Sequence, residues 1–265
     1  MVRAGQTEHF VVKLFIRSPS HPSYAFRVVR GRHRASESEA MEIVLVRHGE
    51  PEWVRDGLNV VDPPLTERGH RQADRVAAAL AGEVFDEIVI SPLRRPRLTA
   101  APALADRGAD EVIENWLEEI REPNWHGTPA ELARKAYEEE RSRPASARWE
   151  GLVGGEPSRD FVERVRSGAT DFLADRGIYR SKQTLPVWHM DESERRIAVF
   201  AHAGTNGVIL CHLLGLDPVP WEWDRFVTGH ASITRLATMK MGDGHTFSLT
   251  KLSDVEHLEL DDRTG

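Results

Sequence analysis

A chain of 265 residues is long enough for one large α/β domain with a sizeable core, or for a domain with extensions, and short for two full domains. A net charge of -7 leaves no overall electrostatic footprint for nucleic acid, so an anion would have to be met by a local cluster of arginines. The single cysteine, Cys211 in "NGVILCHLLGL", excludes a disulfide framework within the chain, reads as a buried small side chain, and suits a reducing, cytoplasmic compartment.

Residues 1–40 carry seven Arg or Lys against three Glu, and read as an N-terminal extension ahead of a domain over residues 41–265. Their apolar patch "HFVVKLFIR" is too short and too charged to span a bilayer. A targeting leader and an alternative translation start at Met41 are both readings of this segment. Without it the body holds 28 basic residues against 39 acidic ones.

From Met41 the chain alternates strand and helix. "EIVLV" is a short, β-branched apolar run of the kind buried on both faces of a parallel sheet. Thr66 caps a helix whose Ala73, Val76, Ala77 and Leu80 follow helical spacing, with Gly82 ending it. "FDEIVI" gives the second strand and "SPLRRPRLTAAPALADRG" the second helix. Gly and Pro cluster between Pro123 and Pro129 and from Gly151 to Pro157, bracketing the charged helical stretch "PAELARKAYEEERSR". This insertion, at about residues 121–157, is expected to form a small cap over the sheet's carboxyl end. "SRDFVERVRSGATDFLADRG", "RIAVFAH" and "TNGVILCHLLGL" supply a helix, a strand and a helix, and "ASITRLATM" with "TFSLTKL" is expected to close an edge. The expected fold is a three-layer α/β/α sandwich with a mostly parallel central sheet.

Ligands of open α/β sheets bind outside the carboxyl ends of the strands. Three expected strands end in phosphate-handling residues: Arg47 and His48, the segment from Ser91 to Arg97, and His202. A neutral imidazole can attack phosphorus and split one displacement into two easier ones, a role that fits His48. Arg47 and Arg95 can clamp the equatorial oxygens, and His202 can donate to a third. The leaving alkoxide needs a proton and the second step needs a base. "NWLEEIREPNWHG" offers Glu118, Glu119 and Glu122 for both tasks, although a run of glutamates also reads as a solvated face.

"VRHGE", "PPLTERGHRQA", "ISPLRRPRLTA", "LEEIREPNWHG", "GGEPSRDFVERV" and "FAHAGTNGVI" occur in the order seen in the histidine phosphatase superfamily, also called the phosphoglycerate mutase-like family. The resemblance covers about Met41 to Thr238. It implies a phosphohistidine at His48, a phosphate pocket of Arg47, Arg95 and His202, and a proton donor at Glu119, with no metal and no cofactor. It implies a supporting role for Glu156. The bland reading of Glu156 is a carboxylate at a helix N-terminus.

Several residues depart from the family pattern. Pro96 follows Arg95 where alanine is usual, and is expected to delay the helix start. Val54 stands where a polar residue commonly touches phosphate, so Asn59 is a candidate replacement. Pro123 replaces a glycine after Glu119, and Ala203 one after His202. Asn59, Arg94 and Thr205 are candidate substrate contacts, with Arg94 and Arg97 otherwise solvated. His126 and His230 can line the pocket mouth or serve the structure, and Trp53, Trp116, Trp125, Trp149, Trp221 and Trp223 can form a rim or simply pack.

The expected activity is metal-independent phosphomonoester hydrolysis of a small phosphorylated substrate, with no nucleic-acid or membrane partner and homo-oligomerisation left open. A phosphoglycerate-type mutase is the alternative. However, "ELARKAYEEERSRPASARW" lacks the adjacent arginines followed by an aromatic residue that family mutases carry there. A catalytically silent phospholigand-binding protein is the third reading; it has no use for a nucleophile and a donor together.

Overall fold

The computed structural model describes residues 41–182, 185–190 and 195–265. The N-terminal extension read in residues 1–40 lies outside them.

In chain order the elements begin with β1 (Glu42–Arg47), a hairpin of β2 (Val54–Arg55) and β3 (Leu58–Asn59), α1 (Glu67–Leu80), β4 (Glu87–Ile90), α2 (Arg94–Arg107) and β5 (Val112–Ile113). The segment that follows contains α3 (Ala130–Ser142), and then come α4 (Ser158–Ala174), β6 (Tyr179–Arg180) and β7 (Trp188–His189). β8 (Arg196–Ala201), α5 (Ala203–Leu213), the short α6 (Glu222–Arg225), β9 (Ile233–Met241) and β10 (Gly244–Asp254) complete the chain.

Eight of these strands form one sheet in the order β5-β4-β8-β1-β9-β10-β7-β6. The β5, β4, β8 and β1 strands run parallel, and β1 then pairs antiparallel with β9. Alternation along β1 shows why its sequence is continuously apolar. Ile43 and Leu45 enter one buried cluster with residues of α4 and α5, whereas Val44 and Val46 enter a second cluster with residues of α1 and α2. The sheet is thus the middle layer of an α/β/α sandwich.

Local chemistry sets the helix ends. The Thr66 hydroxyl accepts from the Gly69 amide at 3.0 Å and caps α1. α2 stops at Gly108, whose φ of 59° is left-handed. Pro96 does not delay the start of α2, which already begins at Arg94. It is the third helical residue, and the first four amides of a helix have no intrahelical acceptor, so its missing N–H forfeits no ladder bond.

The pair β9–β10 does not form the edge of the sheet. The two-residue strands β7 and β6 extend beyond it, held where Trp188 is buried and donates its indole N–H to the Leu213 carbonyl at 3.2 Å. Strands of two residues carry no periodicity to read, which is why β2, β3, β5, β6 and β7 escape sequence analysis.

Candidate active site

The order β4-β8-β1 makes the three chemically loaded strand ends neighbours. In that register Arg47 lies opposite Ala201, and Ile90 opposite Phe200. His48 continues β1, its amide donating to the Ala201 carbonyl at 3.0 Å, and His202 follows Ala201 as the N-cap of α5. Arg95 comes from the first turn of α2, just after β4.

His48, Arg95 and His202 are buried. His48 Nδ1 lies 2.8 Å from the Gly49 carbonyl oxygen, which can only accept, so the proton is on Nδ1 and Nε2 carries the lone pair. Arg95 Nε donates to that Nε2 at 3.2 Å. Burial first, then the guanidinium groups of Arg95 and Arg47, hold the His48 pKa well below the usual imidazole value. Burial and Arg95 do the same to His202, whose ring centroid is 5.2 Å from that of His48.

The arginines are themselves fixed. Arg47 donates to the Thr228 carbonyl, and burial brings its pKa down to about 10, still well above neutral pH. Arg95 lies under the Trp53 ring at 4.8 Å and has Asp62 at 3.7 Å. The Thr99 hydroxyl donates to the Arg95 carbonyl at 2.7 Å and accepts from the Gly49 amide at 2.9 Å, tying the first turn of α2 to the β1 loop. His202 Nε2 is 2.8 Å from the Ser91 hydroxyl, whereas His202 Nδ1, Arg47 Nε and Thr228 Oγ1 are buried without a hydrogen-bond partner.

Glu119 is half-buried, with its carboxylate at the N-terminus of α5. It accepts from the amides of Gly204 at 2.9 Å and Thr205 at 3.2 Å. Arg164 on α4 donates to the carbonyls of Glu118 at 3.0 Å and Glu119 at 3.3 Å, and to Glu156 at 2.8 and 2.9 Å. Burial works against the Glu156 charge, but the Arg164 side chain and the Arg121 amide outweigh it and hold the pKa below the usual range. Glu156 therefore acts through Arg164, a residue that sequence reasoning did not single out; the eight-residue step from Glu156 to Arg164 within "GGEPSRDFVERV" was the available signal.

Of these residues, Arg47, His48, Arg95, Glu119, Glu156 and Thr228 line a cavity of about 520 Å³ that reaches up to Tyr137, Glu140 and Arg141 of the 121–157 segment. Of the glutamates offered by sequence, Glu118 pairs with Arg121 at 2.7 Å, and Glu122 accepts from the Tyr137 hydroxyl. Burial raises the Glu122 pKa.

Three candidate substrate contacts are placed differently from the core of the site. The Asn59 amide group is used on Thr128 Oγ1 at 3.1 Å and the Pro129 carbonyl at 3.0 Å, fastening the β2–β3 hairpin to the next loop. Arg94 is exposed and outside the cavity lining. Thr205 is buried and touches the Glu118–Glu119 loop, so it acts on Glu119. His126 is exposed and meets the Val61 amide at 3.4 Å. His230 is close to the nucleophile, with ring centroids 5.8 Å apart, and Nδ1 2.9 Å from Thr264 Oγ1. Trp53 and Trp223 line the cavity, whereas Trp116 packs on Phe172 with ring centroids 5.6 Å apart.

Residues 43–249 match the family model of the histidine phosphatase superfamily (branch 1). The chain is 30% identical over 183 residues to phosphoserine phosphatase 1 of Hydrogenobacter thermophilus, covering 67% of this chain and 78% of the relative. It is 30% identical over 206 residues to glucosyl-3-phosphoglycerate phosphatase of Mycolicibacterium vanbaalenii, covering 76% and 86%. In fold it is similar to the solved structure of mycobacterial hydrolase 2, with a TM-score of 0.63 at 24% identity over 84% of this chain and 94% of that one. With a family model spanning most of the domain and phosphatases among its relatives, the chain belongs to the histidine phosphatase superfamily and is a phosphatase of that family.

Proposed function

We propose that this phosphatase hydrolyses small phosphomonoesters without a metal, through a phosphohistidine at His48. The observation that carries the reading is the state of His48: a buried, neutral imidazole with its Nδ1 proton on the Gly49 carbonyl and its Nε2 lone pair toward Arg95. Burial first, then the two neighbouring guanidinium groups, hold its pKa well below the usual imidazole value.

In the first step His48 Nε2 forms a bond to phosphorus as the ester P–O bond breaks, and the leaving oxygen takes a proton from Glu119. Arg47, Arg95 and His202 hold the phosphoryl oxygens. In the second step Glu119 takes a proton from water, whose oxygen displaces the phosphoryl group from His48 as inorganic phosphate. Phosphoryl transfer of this kind is catalysed mainly by position and charge, which the fixed tautomer and buried arginines supply. The names of the relatives support small phosphorylated substrates, and the single buried thiol of Cys211 suits a cytoplasmic setting.

The test is inorganic phosphate release from a panel of phosphomonoesters, in chelator, by the parent and by His48→Ala, with trapping of labelled enzyme in alkaline denaturant. Release that disappears in the variant, with acid-labile label in the parent alone, is expected. Phosphate transfer to a second hydroxyl without release would replace hydrolysis by the mutase reading. Binding without label or release would leave a silent phospholigand-binding protein.

A further inference from the structure

The site holds a second imidazole whose proton has to sit on the right nitrogen. His202 is fully buried, and burial with the Arg95 guanidinium holds its pKa well below the usual imidazole value, so it is neutral and carries one proton. Its Nε2 lies 2.8 Å from the Ser91 hydroxyl, whereas its Nδ1 has no hydrogen-bond partner. Nδ1 is therefore the nitrogen left to meet a phosphoryl oxygen. It can do so only while the proton is there.

Ser91 has the means to decide this. It directly follows β4, and its amide donates to the Phe200 carbonyl of β8 at 3.0 Å, so the pairing of the two strands brings it beside His202. Ser91 is fully buried. Its hydroxyl has one proton to give, and its other contact, the Leu93 amide at 3.5 Å, is itself a donor. Among the described residues, His202 Nε2 is thus the acceptor for that hydroxyl. The opposite tautomer would aim Nε2–H at the hydroxyl and strand the serine proton. It would also turn an Nδ1 lone pair toward phosphoryl oxygens. Stranding a buried donor is costly, so the hydroxyl favours Nδ1–H. A histidine side chain in water leans the other way, toward Nε2–H.

We propose that Ser91 is a positioning residue: its hydroxyl donates to His202 Nε2 and thereby holds the His202 proton on Nδ1, where a phosphoryl oxygen accepts it. This rests on the reading of His202 as a phosphate donor. The two imidazoles then carry their protons on the same nitrogen and use opposite ends. His48, fixed by the Gly49 carbonyl, offers phosphorus its Nε2 lone pair, and His202, fixed by Ser91, offers oxygen its Nδ1 proton.

The test reads the tautomer directly, from two-bond 1H–15N spectra of histidine-labelled parent and Ser91→Ala, with His202→Gln to assign the signal, alongside kcat/KM for an ester that the parent hydrolyses. The parent is expected to show a protonated Nδ1 and an accepting Nε2 at His202, and Ser91→Ala to show Nε2–H or a mixture. One preorganised donor to a developing oxyanion is worth about 10²–10³ in rate. A bound phosphoryl oxygen can draw the proton back to Nδ1, so the loss of kcat/KM in Ser91→Ala is expected to be smaller, about ten- to a hundredfold. Nε2–H in the parent, an unchanged tautomer in Ser91→Ala, or an unchanged kcat/KM once the tautomer has moved overturns the proposal. Should Ser91→Ala fail to fold, Ser91→Cys, which keeps the size and weakens the donor, is read in the same way. A parent that hydrolyses no ester overturns the phosphatase reading instead, and calorimetric affinity for inorganic phosphate then takes the place of kcat/KM.

Discussion

Gly204→Ala separates placement of the proposed proton donor from stability of the fold. A Cβ at Gly204 would lie 2.5 Å from Glu119 Oε1 and 3.2 Å from Oε2, so the carboxylate has to leave the α5 N-terminus. The obstructing atoms are the end of a flexible, half-buried side chain, which can move. Glu119 then gives up charge-assisted bonds to the Gly204 and Thr205 amides, each worth roughly 1.5–3 kcal/mol if unreplaced and less where water substitutes. Alanine returns about 0.5–1 kcal/mol of helix preference over glycine. The net stability change is expected to stay within about 1–2 kcal/mol. Misplacing a general acid, by contrast, costs about 10²–10⁴ in rate when the leaving group is a poor one. The assay is kcat/KM, which reports the first step alone, for an alkyl phosphate and for an aryl phosphate of acidic phenol, alongside urea unfolding. A fall of at least about a hundredfold on the alkyl ester, far less on the aryl ester, and an unfolding midpoint close to the parent are expected. Equal losses on both esters, or none on the alkyl ester, would refute the assignment of proton transfer to Glu119 at this position.

Arg164→Met leaves the buried Glu156 carboxylate without its guanidinium and frees the Glu118–Glu119 carbonyls; breaking such a pair is expected to cost about 2–4 kcal/mol in unfolding free energy. Pairing it with Glu156→Gln should restore much of the stability while alkyl-ester turnover stays low, because the loop is still untethered. Stability should also decline in acid beyond what carboxylates contribute. Burial lowers the pKa of His212 and His230 to about 4, so each stays neutral in the native state while the unfolded chain takes up a proton near pH 6.5. The unfolded state then binds more protons, and stability present above pH 6.5 is lost as pH falls, by about 2 kcal/mol per residue at pH 5. His212→Phe keeps an aromatic ring beside Trp188 and should shrink the difference in Tm between pH 7 and pH 5 by about 4–8 °C; an unchanged difference would show that His212 already titrates normally.

The layers of the fold and the floor of the site were legible for one reason: strands buried on both faces declare themselves as apolar runs, and the residue after each run is where a ligand sits. β1 shows it, with four buried residues followed by Arg47 and His48. The order of strands was not legible, yet it is the adjacency β4-β8-β1 that turns three separate strand ends into one pocket. Pro96 misled because a proline penalty depends on position along the helix, and the third residue is exempt. Asn59 misled in another way. A polar residue near the site was read as a free hand, whereas its amide is occupied by Thr128 and Pro129, contacts 69 and 70 residues away in sequence. Arg164 was missed for the same cause, since its acceptors include main-chain carbonyls, which leave no mark on side-chain pattern.

Native interiors rarely leave polar atoms unmatched, and those that remain tend to mark a strain reservoir or a place meant for a ligand. Arg47 Nε, His202 Nδ1 and Thr228 Oγ1 are three such atoms on groups that surround His48, and Thr228 lines the cavity and holds Arg47 through its carbonyl. If they are donors held ready for phosphoryl oxygens, they cost stability in the empty protein and return it on binding. Thr228→Val tests both signs at once, because it replaces a hydroxyl by a methyl of nearly the same shape and spares the carbonyl that Arg47 needs. Removing an unmatched buried hydroxyl should leave the empty protein as stable as the parent or about 1 kcal/mol more stable. The same change should weaken inorganic phosphate or vanadate by about ten- to a hundredfold, the loss of one hydrogen bond to a charged group, and so reduce the rise in Tm that the anion produces. Thr228→Ser should keep the anion response. A variant that is less stable when empty and binds the anion as the parent does would mean that the hydroxyl serves the packing of the fold, and the phosphoryl group would then be held by the guanidinium and imidazole groups without it.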